Sequence, residues 1–63
     1  MDGEFEITYG YDMHCRSWCI IVHDPNGFEA ESDYLGTKEG CQKMIGQLKE
    51  KYETDKVRKL KAY

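Results

Sequence analysis

The sequence has few of the features that mark membrane, secreted or disordered proteins. Its 63 residues include no apolar run near the ~20 residues that a membrane-spanning helix needs. Residues 1–4 are acidic and have no signal-peptide pattern. The number of cysteines, three, is odd, which favours reduced thiols over a disulfide framework. We therefore expect a cytoplasmic protein without a membrane partner, and the 40% of apolar residues are enough for a small folded core.

Basic residues are scarce in the first 37 positions. This part has eight acidic residues and one base, Arg16, whereas residues 38–63 have eight bases and four acids. The corresponding net charges, −7 and +4, sum to the −3 of the whole chain. Such an asymmetry bears on the choice of partners and on the steering of encounters, rather than on the fold.

The chain also lacks the residue arrangements typical of enzymes. Its glycines are scattered, so no loop is suited to cradle a phosphate. Cys15, Cys19 and His23 recur every four residues, and on an extended segment they would spread over roughly 26 Å at about 3.3 Å per residue, beyond the reach of one ion. We expect a non-enzymatic protein with no catalytic residues and no cofactor. The sequence leaves open whether a metal is bound by His14, Cys15, Cys19 and Cys41.

Alternation of apolar and polar residues predicts three strands. Residues 4–11 alternate strictly, which is typical of a half-buried strand. Residues 16–23 are apolar on both faces, as expected of a central strand, and residues 28–32 form the third. Between the last two lies Asp-Pro-Asn-Gly at 24–27, where Pro presets φ and Gly supplies the left-handed residue of a three-residue hairpin loop.

One amphipathic helix is predicted after the third strand. Thr37 is the expected N-cap, because its hydroxyl can accept a hydrogen bond from the first turn, and Glu39 suits the positive end of the helix dipole. A single apolar stripe follows, formed by Cys41, Met44, Ile45, Leu48 and Tyr52. Beyond it, residues 54–63 are predicted to be a bent or frayed basic end of the helix, or a basic arm that leaves it.

These elements predict a single α+β domain: a three-stranded antiparallel sheet packed on one C-terminal helix (βββα) in two layers. The sheet side of the core is expected to contain Phe5, Ile7, Tyr9, Trp18, Ile20, Val22, Phe28 and Ala30. One helix covers only one face of a sheet, so the other face stays open. On that second face we expect Glu4, Glu6, Thr8, Cys19, Ile21, His23, Glu29 and Glu31.

Several short motifs resemble those of known small domains. The arm-type DNA-binding domain of phage integrases is similar in Trp18-x-Ile20-x-Val22, Asn26-Gly27, Gly36-Thr37-Lys38-Glu39, Ile45 and Leu48-Lys49. The small YegP-like repeat family is similar in the order Asn26-Gly27, Ser32, Tyr34, Thr37-Lys38, Ile45 and Leu48. The resemblance covers roughly half of the chain and implies a three-stranded sheet with a helix. It also implies a sheet face lying in the DNA groove, where the matching strand here would bring Glu29, Glu31 and Asp33 towards phosphates that repel them.

The open sheet face is the first candidate functional surface. Carboxylates around the apolar Ile21 would dock on a basic protein surface, with opposite charges steering the encounter and the apolar centre supplying affinity. We therefore predict a protein-binding module, of the accessory or inhibitor type found in phages and mobile elements. The predicted contact residues are Glu4, Glu6, Ile21, His23, Glu29 and Glu31.

The alternative is a nucleic-acid-binding module. It would use the basic C-terminal residues Lys56, Arg58, Lys59 and Lys61. Tyr9, Tyr11 or Tyr34 would stack on bases. A third hypothesis is a homodimer joined through an edge strand. Against the first two stands the plainer interpretation that the acidic face carries charge for solubility and that the basic tail is a solvated helix end.

Overall fold

The computed structural model describes residues 4–60, which form a four-stranded sheet with one helix on it. The elements are β1 (Glu6–Asp12), β2 (Ser17–His23), β3 (Glu29–Leu35), α1 (Lys38–Lys51) and β4 (Val57–Lys59). Their order across the sheet is β3-β2-β1-β4, with β4 parallel to β1 and the other two pairings antiparallel. The predicted α+β class is confirmed, but the prediction of three strands is wrong because the sheet has four. Over the described range, no helix has the length and apolar character needed to cross a membrane.

The core lies between α1 and one face of the sheet. Side chains alternate between the two faces along β1 and β2, so that paired residues such as Ile7 and Val22 both lie on the helix side. The buried apolar residues are Ile7, Ile20, Val22, Cys41 and Leu48. Partly buried side chains packed around them are Phe5, Tyr9, Trp18, Leu35, Met44, Ile45, Tyr52 and Val57. The predicted helix stripe and the predicted core positions on β1 and β2 are therefore confirmed.

The start of α1 also follows the prediction. Thr37 has an extended backbone, and its hydroxyl accepts a hydrogen bond from Gly40 N at 3.0 Å. This satisfies one of the N–H groups that a helix leaves free in its first turn.

The face assignment predicted for β3 is wrong over most of its length. Val22 lies opposite Glu31 and the next residue of β2, His23, lies opposite Glu29, so Ala30 is the extra residue of a β-bulge. The bulge puts Glu31 on the helix side and leaves Ala30 exposed. Phe28, which was also expected in the core, lies in the turn and is 71% exposed.

The helix ends where the sequence gives little sign of an end. Tyr52 is the C-cap, and Glu53 takes the left-handed conformation with φ 52°. Glu53 N donates to Glu50 O at 3.3 Å and Thr54 N donates to Lys49 O at 3.1 Å, the two hydrogen bonds of a Schellman motif. Gly usually occupies this position, because a Cβ in the left-handed region is strained.

The chain then returns to the sheet rather than continuing as a helix. Thr54 is buried, and its hydroxyl donates to Phe5 O while accepting from Lys56 N at 3.2 Å. Ile7 N donates to Lys56 O at 2.8 Å and Leu60 N donates to Tyr9 O at 2.7 Å, which adds β4 to β1. The prediction of a bent or frayed helix over residues 54–63 is therefore wrong for residues 57–59, and residues 61–63 lie outside the described range.

Glu53→Gly is expected to raise the free energy of unfolding by about 1 kcal/mol, because Gly relieves the left-handed strain at the helix end. The matched control is Glu50→Gly, an exposed position inside α1, which should lower it by about 1 kcal/mol. Urea denaturation followed by circular dichroism measures both. Destabilisation by both variants to the same extent would contradict the assigned role of Glu53.

Thr54→Val is expected to lower the free energy of unfolding by about 1–3 kcal/mol, since it leaves Phe5 O and Lys56 N without their hydroxyl partner. Thr54→Ser keeps the hydroxyl and removes one methyl group, for a loss of about 0.8 kcal/mol. The same urea titration compares them. If the Ser variant were as unstable as the Val variant, packing rather than hydrogen bonding would hold this junction.

Candidate interaction surface

The open face is the side of the sheet that α1 does not cover. Residues paired on neighbouring strands share a face, so the pairing register determines its members. They are Glu6, Thr8 and Gly10 of β1, Cys19, Ile21 and His23 of β2, Glu29, Ser32 and Tyr34 of β3, and Arg58 of β4. Of the six predicted protein-binding residues, this set contains Glu6, Ile21, His23 and Glu29.

An apolar concavity of about 250 Å³ occupies one end of the open face. Its lining residues are Gly10, Tyr11, Asp12, Cys19, Ile21, Tyr34 and Leu60. Gly10 is what allows Leu60 to lie across β1, because a Cβ at Gly10 would be 3.1 Å from Leu60 Cβ and 3.2 Å from Leu60 O. Tyr34 is 56% exposed at the opposite wall. The concavity is thus framed by the two outer strands and floored by the two central ones.

A polar cleft of about 280 Å³ occupies the other end. It is lined by Glu4, Glu6, His23, Asp24, Pro25, Gly27, Lys56 and Arg58. Arg58 Nε lies 3.5 Å from Glu6 Oε2, and His23 Nε2 shares a 3.1 Å hydrogen bond with the buried Thr8 hydroxyl. The predicted acidic surface and the predicted basic segment are therefore neighbours, and part of the acidic charge is already compensated within the chain.

Glu31 does not belong to the open face, contrary to prediction. Its Oε1 accepts hydrogen bonds from Lys51 Nζ at 2.8 Å and from the Tyr52 hydroxyl, both at the end of α1. These hydrogen bonds, that from Lys51 first, lower the pKa of Glu31, and its carboxylate raises the pKa of Tyr52. Glu31 thus ties β3 to the helix.

The described members of the predicted nucleic-acid-binding set do not all lie on one face of the sheet. Lys56 lines the polar cleft, and Arg58 is paired with Glu6. Lys59 pairs with Tyr9, so it lies on the helix side of the sheet. Lys61 lies outside the described residues.

The cysteines are spread over both sides of the sheet. Cys41 belongs to the apolar stripe of α1 and is buried in the core, Cys19 lines the concavity and Cys15 is exposed in the turn after β1. Burial raises the pKa of Cys19 and of Cys41, which keeps both thiols protonated at neutral pH. Among residues 4–60, no three or more His, Cys, Asp or Glu side chains are grouped so as to hold a metal ion.

The sequence did not point to Gly10, Asp12 or Leu60 as residues of the concavity, and it pointed to Tyr11 and Tyr34 only as stacking groups of the nucleic-acid alternative. Gly10 carried a usable signal, since Gly inside a strand often marks a close approach of another backbone. Leu60 carried none, because it lies in a segment predicted to be helical. Comparison of the chain with protein-family models, curated proteins and solved structures gave no match. The resemblance to integrase arm-type domains and YegP-like repeats therefore stays a prediction.

Glu31→Gln is expected to reduce stability at pH 7 by at most about 1 kcal/mol, since solvent screens this partly exposed pair. The pKa of Glu31 in the folded state lies below its ordinary value of 4.5, so its contribution is present above that pH. This contribution is lost as the pH falls through the lowered pKa. Below that pKa the variant and the parent should be equally stable. Urea midpoints from pH 7 to pH 3 test this.

Tyr52→Phe provides the second arm of that experiment, because it removes one of the two donors and keeps the ring that packs 4.8 Å from Phe5. Tyr52→Phe should also be less stable than the parent, by a smaller amount than Glu31→Gln and over the same pH range. Parallel pH profiles for the parent and Glu31→Gln would mean that the ionisation of Glu31 makes no contribution to folding.

Proposed function

We propose that this chain is a small non-enzymatic interaction module that binds a protein partner through the open face. The observation that carries the proposal is the apolar concavity on a sheet face that α1 leaves uncovered. The module would act by stoichiometric contact, in the cytoplasm. Its role as an accessory or inhibitor protein of a phage or mobile element rests on its small size and on the resemblance to integrase domains.

The concavity is suited to one large apolar or aromatic side chain of the partner. Ile21 and Leu60 supply aliphatic contacts, and Tyr34 offers a ring with a polar end. Aromatic anchors in such pockets commonly supply most of the affinity of a protein interface. An anchored side chain here would cover the apolar surface that folding leaves in water.

The charges around the concavity favour a partner with basic groups. Asp12 lines the concavity itself, and Glu4 and Asp24 line the polar cleft beside it. The three carboxylates of the cleft (Glu4, Glu6 and Asp24) exceed its two cations (Lys56 and Arg58) by one, and Asp12 adds one acidic charge at the other end of the open face. Such an arrangement steers encounter and orients the partner, while the apolar centre holds it.

The alternative, nucleic-acid binding through the basic C-terminal residues, has weaker support. Arg58 is engaged by Glu6, and Lys56 shares its cleft with Glu4 and Asp24. Phosphates approaching this end of the sheet would meet those carboxylates. The exposed rings of Tyr11 and Tyr34 are the observation in its favour, since bases stack on such rings.

The experiment places a photo-activated benzoylphenylalanine at position 34 and, as the matched control, at position 28. Phe28 is an exposed aromatic residue that lies away from the concavity. We expect a discrete protein adduct from position 34 and none from position 28. With the purified partner, Tyr34→Ala should raise the Kd at least tenfold, whereas Phe28→Ala should leave it within twofold.

Two outcomes would contradict the proposal. Equal effects of the Tyr34 and Phe28 substitutions would show that the concavity is not the contact surface. Adducts removed by nuclease, together with micromolar and steeply salt-dependent binding to generic DNA or RNA, would favour the nucleic-acid alternative instead.

A further inference from the structure

β3 is a long sheet edge without a strand on its outer side among the described residues 4–60. It has seven residues, five of them exposed, whereas β4 at the opposite edge has three. An unpaired edge presents a row of N–H and C=O groups that another strand can use. Addition of a strand at such an edge is a common way in which proteins bind extended segments.

Two residues of β3 direct their backbone groups away from β2. The Leu35 carbonyl faces β2, because it accepts the Ser17 hydroxyl at 2.8 Å. In an antiparallel ladder such inward residues alternate with outward ones, which makes Tyr34 and Ser32 outward. Tyr34 N confirms this geometry, since it donates to the side chain of Asp33 at 2.9 Å rather than to β2. An incoming carbonyl group would replace Asp33 there.

The charge of β3 selects among possible occupants. The strand contains Glu29, Glu31 and Asp33 and no basic residue. Pairing of two copies through β3 would bring six carboxylates together, and like charges opposite one another destabilise a sheet. The homodimer considered from the sequence is therefore disfavoured at this edge, and a basic segment of another protein is favoured.

The register specifies the pattern of that segment. Asp33 and Glu31 lie opposite Ile20 and Val22, so both carboxylates are on the helix side. Basic residues at alternate positions of an added strand would lie on this side, where they face Asp33 and add to the Lys51 ammonium that already contacts Glu31. The residues between would lie on the open face beside Ser32 and Tyr34, where apolar side chains extend the surface of the tyrosine ring.

We propose that β3 accepts an extended segment of a partner protein as a fifth strand, with basic residues at every second position and apolar residues between them. This site uses the backbone edge of β3 and shares only the Tyr34 ring with the concavity. Ile21→Ser, which alters the floor of the concavity, should therefore leave binding at β3 within twofold, so the two proposals can fail independently.

The probe is a seven-residue peptide with blocked ends that alternates Arg and Val. On titration into the labelled protein, the amide signals of Ser32 and Tyr34 should shift, and their hydrogen exchange should slow at least tenfold at saturation. Amides of β4 should not change. A peptide alternating Glu and Val should not bind.

Two N-methylated forms of the Arg–Val peptide distinguish strand addition from charge attraction alone. One carries the methyl groups on the Arg nitrogens and the other on the Val nitrogens, so each blocks one of the two hydrogen-bonding edges and keeps the charge. We expect one form to lose binding at least tenfold and the other to keep it within threefold. Equal binding of the two forms, or shifts outside β3, would overturn the proposal.

The protein variant Asp33→Asn should weaken binding of the unmethylated peptide at least threefold. Its matched control is Asp55→Asn, just before β4 at the opposite edge of the sheet, which makes the same chemical change and should have no effect beyond twofold. Equal weakening by both would point to net charge rather than to the edge and would overturn the proposal.

Discussion

The buried hydroxyl of Thr54 donates to Phe5 O and accepts from Lys56 N, and this pair of hydrogen bonds determines where the chain re-enters the sheet after α1. Pairing of β4 with β1 follows directly from that position, through the hydrogen bond between Ile7 N and Lys56 O. Leu60 then lies across Gly10 and completes one wall of the concavity. The candidate surface therefore depends on a polar contact made two residues after the C-cap of α1.

The pairing of β4 with β1 also changes the electrostatics of the open face. Without β4, that face would present Glu6 and Glu29 around Ile21, as the sequence suggested. With β4 in place, Arg58 lies beside Glu6. Independently of β4, the bulge at Ala30 turns Glu31 towards Lys51 and Tyr52. The acidic half and the basic half of the chain thus meet within one domain, and the acidic charge that remains accessible lies at the ends of the face and along β3.

Local sequence rules predicted the parts of the fold whose periodicity is unbroken. Alternation in β1 and β2, the Thr37 cap and the stripe from Cys41 to Tyr52 all agree with the structure. Simple alternation assigned the wrong faces in β3, because the bulge at Ala30 adds one residue and the local sequence does not predict a bulge there. The helix end was missed because Glu53 stands where Gly is usual, and the spacing of three between Val57 and Leu60 then favoured a helix over a strand.

The bulge at Ala30 also limits the length of the edge. A bulge increases the local twist and bends its strand, which makes the residues before it a poor template for regular pairing. The straight part of β3 is then residues 31–35, about 17 Å at ~3.4 Å per residue. A stretch this short limits the length of strand that can pair with it to one segment of about five residues. It is also too short to serve as the template on which a fibril grows.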